Sequence, residues 1–178
     1  KTLLSIINNI LDFSKIEDGK MNLVPVEFDT TVLINGLINS ISERARSKGL
    51  DLIVDIDETV PSKLFGDDVR ISQVLMNLLT NGVKYTEKGS VTVRVQNQGV
   101  TGDDVNLRFD VIDTGIGIRE EDFDKLTKSF ERIEEKRNRH IEGTGLGMSI
   151  VTKLLNLMNS QLMTLDRKSG SAGMPRPI

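Results

Sequence analysis

The sequence predicts a two-layer α/β sandwich with one further helix in front of it. Helical and alternating apolar segments are mixed, without the regular strand–helix–strand rhythm of a doubly wound sheet. Residues 67–85 carry a sustained helical period. Residues 91–95 and 107–112 alternate, and a glycine-containing turn at 99–104 joins them into a hairpin.

The elements follow in chain order. Leu3, Leu4, Ile7, Ile10 and Leu11 have helical spacing over residues 1–18, and Ile6 and Phe13 add a second apolar flank. A helix apolar on more than one side suits a bundle or a coiled coil. Asp18, Gly19 and Lys20 mark its end. Residues 24–28 form a short extended stretch broken by Pro25. A helix is expected over residues 29–48, capped by Asp29 or Thr30 and stopped by Gly49. Residues 50–56 read as a strand, with Leu50, Leu52, Val54 and Ile56 on one face. After the hairpin come a helix over 120–130, a charged stretch over 131–140, a helix over 145–159 and a strand over 161–165. The expected division is a stem helix at residues 1–20 and one domain at 21–178, whose tail from 163 is atypical.

Composition narrows the function. Of the 178 residues, 38% are apolar and 28% charged, an ordinary globular balance rather than a disordered one. The net charge of −3 argues against a nucleic-acid partner. The absence of cysteine excludes disulfides, zinc–thiolate sites and thiol chemistry. No apolar run reaches the roughly 20 residues of a membrane helix, and no signal peptide is visible. The chain starts without methionine and in mid-helix, as expected of a piece of a longer protein.

Three segments carry chemistry. On the 67–85 helix, at about 100° per residue, Arg70, Gln73, Asn77, Asn81 and Lys84 share one stripe. Ile71, Val74, Leu75, Leu78 and Leu79 cover the opposite side. The stripe reads as a solvated face or as a ligand-binding one. Asn is a poor helix former, its amide oxygen is a hard ligand suited to Mg²⁺, and a lysine can hold phosphate. The second segment is VIDTGIGI at 111–118, where Asp113 ends an apolar strand and Gly115 and Gly117 follow at once. It reads as a plain turn, or as a carboxylate for an adenine amino group beside backbone that a flat ligand can approach. The third is EGTGLGMSI at 142–150, with Gly143, Gly145 and Gly147 before an apolar helix. Helix N-termini bind phosphate, and the spacing fits neither the dinucleotide fingerprint nor the P-loop.

The order of these segments resembles the histidine kinase catalytic domain. NLLTNGVKYT is similar to the N box, DTGIGI to the G1 box, and KSFERIEEKRNRHIEGTGLGMSI to the F box, lid and G2 box. LLSIINNILDFSKIEDGKM resembles the second dimerisation helix, and GDDVRISQVLMNLL the run that opens the N-box helix. The resemblance covers residues 1 to about 162. It implies the Bergerat ATP-binding fold, a mixed and mostly antiparallel sheet packed on helices, with ATP under a lid.

The same resemblance implies roles for single residues. Asn81 would ligate Mg²⁺, Asn77 would lie beside metal and phosphates, and Lys84 would contact phosphate. Tyr85 would pack near adenine and ribose. Asp113 would take the adenine amino group, with Gly115, Gly117 and Ile118 shaping that pocket. Gly143, Thr144, Gly145, Leu146 and Gly147 would cradle the phosphates, and Arg132 would approach the γ-phosphate. ATPases of this fold usually have Glu at the position of Asn77, where it acts as general base on water. With Asn there, the implied reaction is transfer to a histidine on the stem, resting on positioning and cationic charge. The implied partners are ATP or ADP, the histidine-bearing stem helix, a response regulator and, in the full protein, a second copy. The implied location is cytoplasmic, with the parent membrane-anchored or not.

Some residues depart from the family pattern. The acceptor motif of the first stem helix is absent, so autophosphorylation by this chain alone is not expected. His140, the only histidine, falls in the lid. Thr127 replaces the first F-box phenylalanine. Gly82 replaces a common alanine, at a helix cost of roughly 1 kcal/mol. The tail MTLDRKSGSAGMPRPI lacks the expected final strand pattern, and a missing strand would leave a sheet edge open. An ATPase of the same fold and a degenerate nucleotide-binding regulatory module are the alternative readings.

Overall fold

A computed structural model describes residues 3–118 and 145–163. The elements are α1 (Leu3–Glu17), β1 (Val26–Asp29), α2 (Thr30–Ser47), β2 (Asp51–Ile56), β3 (Lys63–Gly66), α3 (Asp68–Tyr85), β4 (Ser90–Thr101), β5 (Asp104–Asp113) and α4 (Gly147–Leu157). The chain forms two compact units, residues 23–116 and residues 1–22 with 117–178.

In the first unit, α2 and α3 pack on a three-stranded sheet of order β2-β4-β5. Strand β2 runs parallel to β4, and β4 runs antiparallel to β5. Periodicity decides which residues meet. Ile34, Leu37, Ile41 and Ala45 of α2 face Leu75, Leu79 and Val83 of α3 and alternate residues Val91, Val93 and Val95 of β4. These helices and this mixed sheet are the predicted two-layer sandwich. The hairpin turns more tightly than expected. Thr101 pairs with Asp104, and a bulge between Asn97 and Val100 absorbs Gly99.

Strand β3 has no counterpart in the predicted elements. Its four residues, KLFG, carry too little alternation to signal a strand. They become one by pairing antiparallel with β1. Residues 161–163 form no strand. The expected helix at 120–130, the charged stretch at 131–140 and Leu165 lie outside the described residues.

Both helices of the unit start on aspartate. Asp29 caps α2 by accepting from Val32 N at 2.9 Å. The buried Asp67 uses both oxygens. Oδ1 accepts from Arg70 N at 3.0 Å and caps α3, while Oδ2 accepts from Val24 N at 2.8 Å. One carboxylate thus fixes the start of α3 to the incoming chain.

The other end of α3 is held by Lys48, the C-cap residue of α2. Lys48 Nζ donates to Val83 O at 2.8 Å, Lys84 O at 2.9 Å and Thr86 O at 3.0 Å. These carbonyls lie at the helix end, where intrahelical donors run out and partial negative charge collects.

In the second unit, α1 lies against α4. Lys153 of α4 forms an ion pair with Glu17 and stands 5.1 Å from the centre of the Phe13 ring. Leu4, Ile7, Ile10 and Leu11 of α1 remain exposed. Ile150, Val151 and Leu154 of α4 are buried, and Asn159 closes the helix at φ +52°. No described helix is long and apolar enough to cross a membrane.

Replacing Lys48 by methionine keeps its stem and removes its three bonds. Urea unfolding of Lys48→Met should show a loss of about 1–3 kcal/mol. An unchanged midpoint would mean that water replaces the ammonium at no cost.

Candidate functional site

The side chains singled out on α3 are neither core nor free surface. Arg70, Gln73, Asn77, Asn81, Lys84 and Tyr85 are all half-buried, whereas a purely solvated face would be exposed. Asn77 Nδ2 donates back to Gln73 O at 3.1 Å, leaving its amide oxygen as the remaining acceptor. Asn81 makes no hydrogen bond with its amide among the described residues. Lys84 Nζ rests 4.7 Å from the centre of the Tyr85 ring and donates to Tyr85 Oη at 3.1 Å. An ammonium held on its neighbour's ring stays close to the stripe and keeps donors to spare.

Gly82 brings the second motif to this helix. A methyl group there would stand 3.3 Å from Val91 Cγ1 and 3.7 Å from Asp113 Cβ. Asp113, at the end of β5, therefore lies against α3 one residue past Asn81. Two segments more than 30 residues apart are joined at one place by the absence of a side chain.

The backbone around Asp113 is tightly fixed. Asp113 Oδ1 accepts from Gly115 N at 2.9 Å, and Ile116 N donates to Tyr85 O at 3.4 Å. A methyl on Gly115 would meet Tyr85 O at 2.5 Å, Asp113 Oδ1 at 2.8 Å and Thr86 Oγ1 at 2.9 Å. Only glycine fits. The next residue in the motif, Thr114, acts structurally. Its N donates to Ser90 O at 3.2 Å and its Oγ1 accepts from Ser90 N at 3.0 Å, clasping the end of β5 to the start of β4. Asp113 itself is exposed, so its carboxylate faces solvent while its backbone is locked.

In the other unit, Gly117 and Gly145 have φ of +71° and +72°, a left-handed conformation that costs glycine little. Ile118 is half-buried and Leu146 is buried. Helix α4 starts at Gly147 with no side-chain cap. Arg132, Gly143 and Thr144 lie outside the described residues.

The structure thus brings together Asn77, Asn81, Lys84, Tyr85, Asp113 and Gly115 in one unit. Reading the sequence missed three contributors. Thr114 and Thr86 sit inside the quoted motifs without an assigned part. Lys48 gave no signal, because a lysine at the end of its own helix is commonplace.

Gly115→Ala should force the 113–116 turn open. A loss of about 1–3 kcal/mol is expected from overpacking, together with faster hydrogen exchange at the Ile116 amide. A variant with parent stability and parent exchange would show that the turn has room after all.

Comparison with known proteins bears on the family and the fold. The model of the histidine kinase-, DNA gyrase B- and HSP90-like ATPase family matches residues 66–173. Hybrid signal transduction histidine kinase B of Dictyostelium discoideum is 39% identical over 160 residues, which are 90% of this chain and 8% of that protein. The signal transduction histidine-protein kinase BarA of Escherichia coli K12 is 35% identical over 160 residues, again 90% of this chain and 17% of the relative. The chain therefore spans less than a fifth of either relative. The crystal structure of full-length ShkA in complex with AMPPNP is similar with a TM-score of 0.75 at 28% identity, over 88% of this chain and 31% of that one. The family match over more than half of the chain and the matching fold lead to one conclusion: this chain belongs to the histidine kinase-, DNA gyrase B- and HSP90-like ATPase family.

Proposed function

We propose that this domain holds Mg-ATP for transfer of the γ-phosphoryl group to a histidine on a stem helix of the parent kinase. The observation that carries the reading is the contact of Asp113 with α3 at Gly82, which puts an exposed carboxylate beside the half-buried Asn81, Lys84 and Tyr85. A carboxylate accepts from an exocyclic amino group, as in adenine, and an aromatic face packs on the base. Lys84 supplies a mobile cation for phosphate. Gly115, Gly117 and Ile118 shape the base pocket. By the resemblance, Gly143, Thr144, Gly145, Leu146 and Gly147 are assigned to the phosphates through their backbone N–H groups. Arg132 adds charge at the γ-phosphate.

The residues present fit a magnesium ion. Mg²⁺ takes one or two protein oxygens and fills its octahedron with phosphate oxygens and water. Asn81 offers a half-buried amide without a competing hydrogen bond among the described residues, and Asn77 lies one turn away. The ion would neutralise charge on the transferring phosphoryl group.

Asn77 sets the outcome of ATP binding. An amide oxygen accepts a hydrogen bond and cannot take a proton from water. The site therefore waits for an imidazole nucleophile from the stem. We assign residues 1–20 to that stem and 21–178 to the catalytic domain, with a second copy completing the stem bundle and a response regulator receiving the phosphoryl group. The assigned location is the cytoplasm, whether the parent is anchored or soluble.

Calorimetric titration with ADP and Mg-ATP tests this reading. The parent chain should bind at micromolar to sub-millimolar concentrations. Asp113→Asn should lose about ten- to a hundredfold, the value of one hydrogen bond to a charged group. Phosphate release should stay near background. Steady turnover would instead favour a same-fold ATPase, and no nucleotide binding would favour a degenerate regulatory module.

A further inference from the structure

An α-helix cannot satisfy its last four carbonyls from within. In α3 these belong to Val83, Lys84, Tyr85 and Thr86, because the Thr86 N–H already closes on Gly82 O. All four have partners. Lys48 Nζ donates to Val83 O at 2.8 Å, Lys84 O at 2.9 Å and Thr86 O at 3.0 Å, and the Ile116 N–H donates to Tyr85 O at 3.4 Å. One ammonium aims all three of its donors at one helix end. Its own helix does not need them there. The end of α2 is closed by the Lys48 backbone N–H, which donates to Ala45 O and Arg46 O. The side chain leaves α2 and crosses to α3.

The turn that it holds carries Lys84 and Tyr85, the last two residues of α3. Their side chains lean on each other. Lys84 Nζ lies 3.1 Å from Tyr85 Oη and 4.7 Å from the centre of the ring. Such a pair is fixed no better than the backbone beneath it, and helix ends fray. Here that backbone has two outside supports. The 113–116 turn holds Tyr85 O, and Lys48 holds the carbonyls on either side of it. Side chains on a fraying turn lose freedom when a ligand orders them, which weakens binding. Side chains on a pinned turn are preorganised.

We propose that Lys48 is a positioning residue of the nucleotide site. Its ammonium pins the last turn of α3, and with it the Lys84 ammonium and the Tyr85 ring, in the arrangement that receives the nucleotide. It acts through those two residues and not on the ligand. This rests on the adenine-nucleotide reading above.

The sequence supplies the probes. It has one tyrosine, no tryptophan and no cysteine, so tyrosine emission reports Tyr85 alone, and Lys48→Cys introduces the only thiol. Alkylating that thiol with 2-bromoethylamine restores an ammonium at nearly the length of lysine. The full chain is titrated with ADP well below its melting temperature, and the anisotropy of tyrosine emission is read without nucleotide. Lys48→Met should bind ADP roughly three- to tenfold more weakly and show lower anisotropy. Aminoethylated Lys48→Cys should return to the parent on both. Ile41→Val, a cut in the buried face of α2, should lower the urea midpoint and leave affinity and anisotropy at parent values. The inference is overturned if aminoethylation restores neither readout, or if Ile41→Val weakens ADP binding as much as Lys48→Met does. ADP binding that is equal in the parent and Lys48→Met would overturn the inference alone. Absence of ADP binding in the parent would overturn it together with the reading on which it rests.

Discussion

Helix α3 lies so close to the sheet at Gly82 that one methyl would press on Val91. That approach governs the rest of the site. It sets Asp113 against the helix at the level of Asn81, and it leaves Tyr85 and Thr86 to meet the turn after β5 through Gly115. Glycine weakens a helix, and the helix end would otherwise carry unsatisfied carbonyls. Lys48 offsets both by anchoring three of them. The close contact comes from the sheet and the anchor from the end of α2, and both act on residues 82–86.

On the proposed reading, a site built this way is fixed at Asp113, where the base would sit, and looser at Lys84, where phosphate would sit. Asp113 is held through its neighbours' backbone, by bonds from Gly115, Thr114 and Ile116. The Lys84 ammonium, by contrast, is held among the described residues by its neighbour Tyr85. Rigid recognition at one end and a mobile cation at the other suit a reaction whose demands are placement and charge. On the same reading, the amide at Asn77 would withhold a general base from water.

Most of the fold was legible in the sequence because it rests on local signals. Aspartates 29 and 67 precede apolar helical periods, and the valines of β4 alternate. Strand β3 was not legible, because its order comes from pairing with β1 across more than 30 residues. The motif residues of the site were legible as residue types in order, and their resemblance to a family gave them roles. Their supports were not. Thr114 clasps Ser90, Lys48 reaches α3 from the end of α2, and Thr86 Oγ1 is buried close to Gly115. Each of those facts is a distance between segments, which no single segment carries.

The β4–β5 hairpin has a consequence for handling the protein. Strand β2 pairs only with residues 90–95 of β4, whereas the ladder between β4 and β5 runs on to Thr101 and Asp104. Beyond Val95, and among the described residues, the hairpin is a ribbon of two strands ending in the exposed pair Gly102 and Asp103. Asn97 Nδ2 still donates to Thr59 O at 2.9 Å, so the free length beyond it is roughly 14 Å at about 3.4 Å per residue. Exposed tips with small polar residues are where inserted chain is best tolerated. A fluorophore or affinity peptide placed between Gly102 and Asp103 is expected to leave the melting temperature and nucleotide titration unchanged, and a lowered melting temperature would count against the ribbon being independent. The tip thus offers a handle for reporting on the domain from outside its buried core.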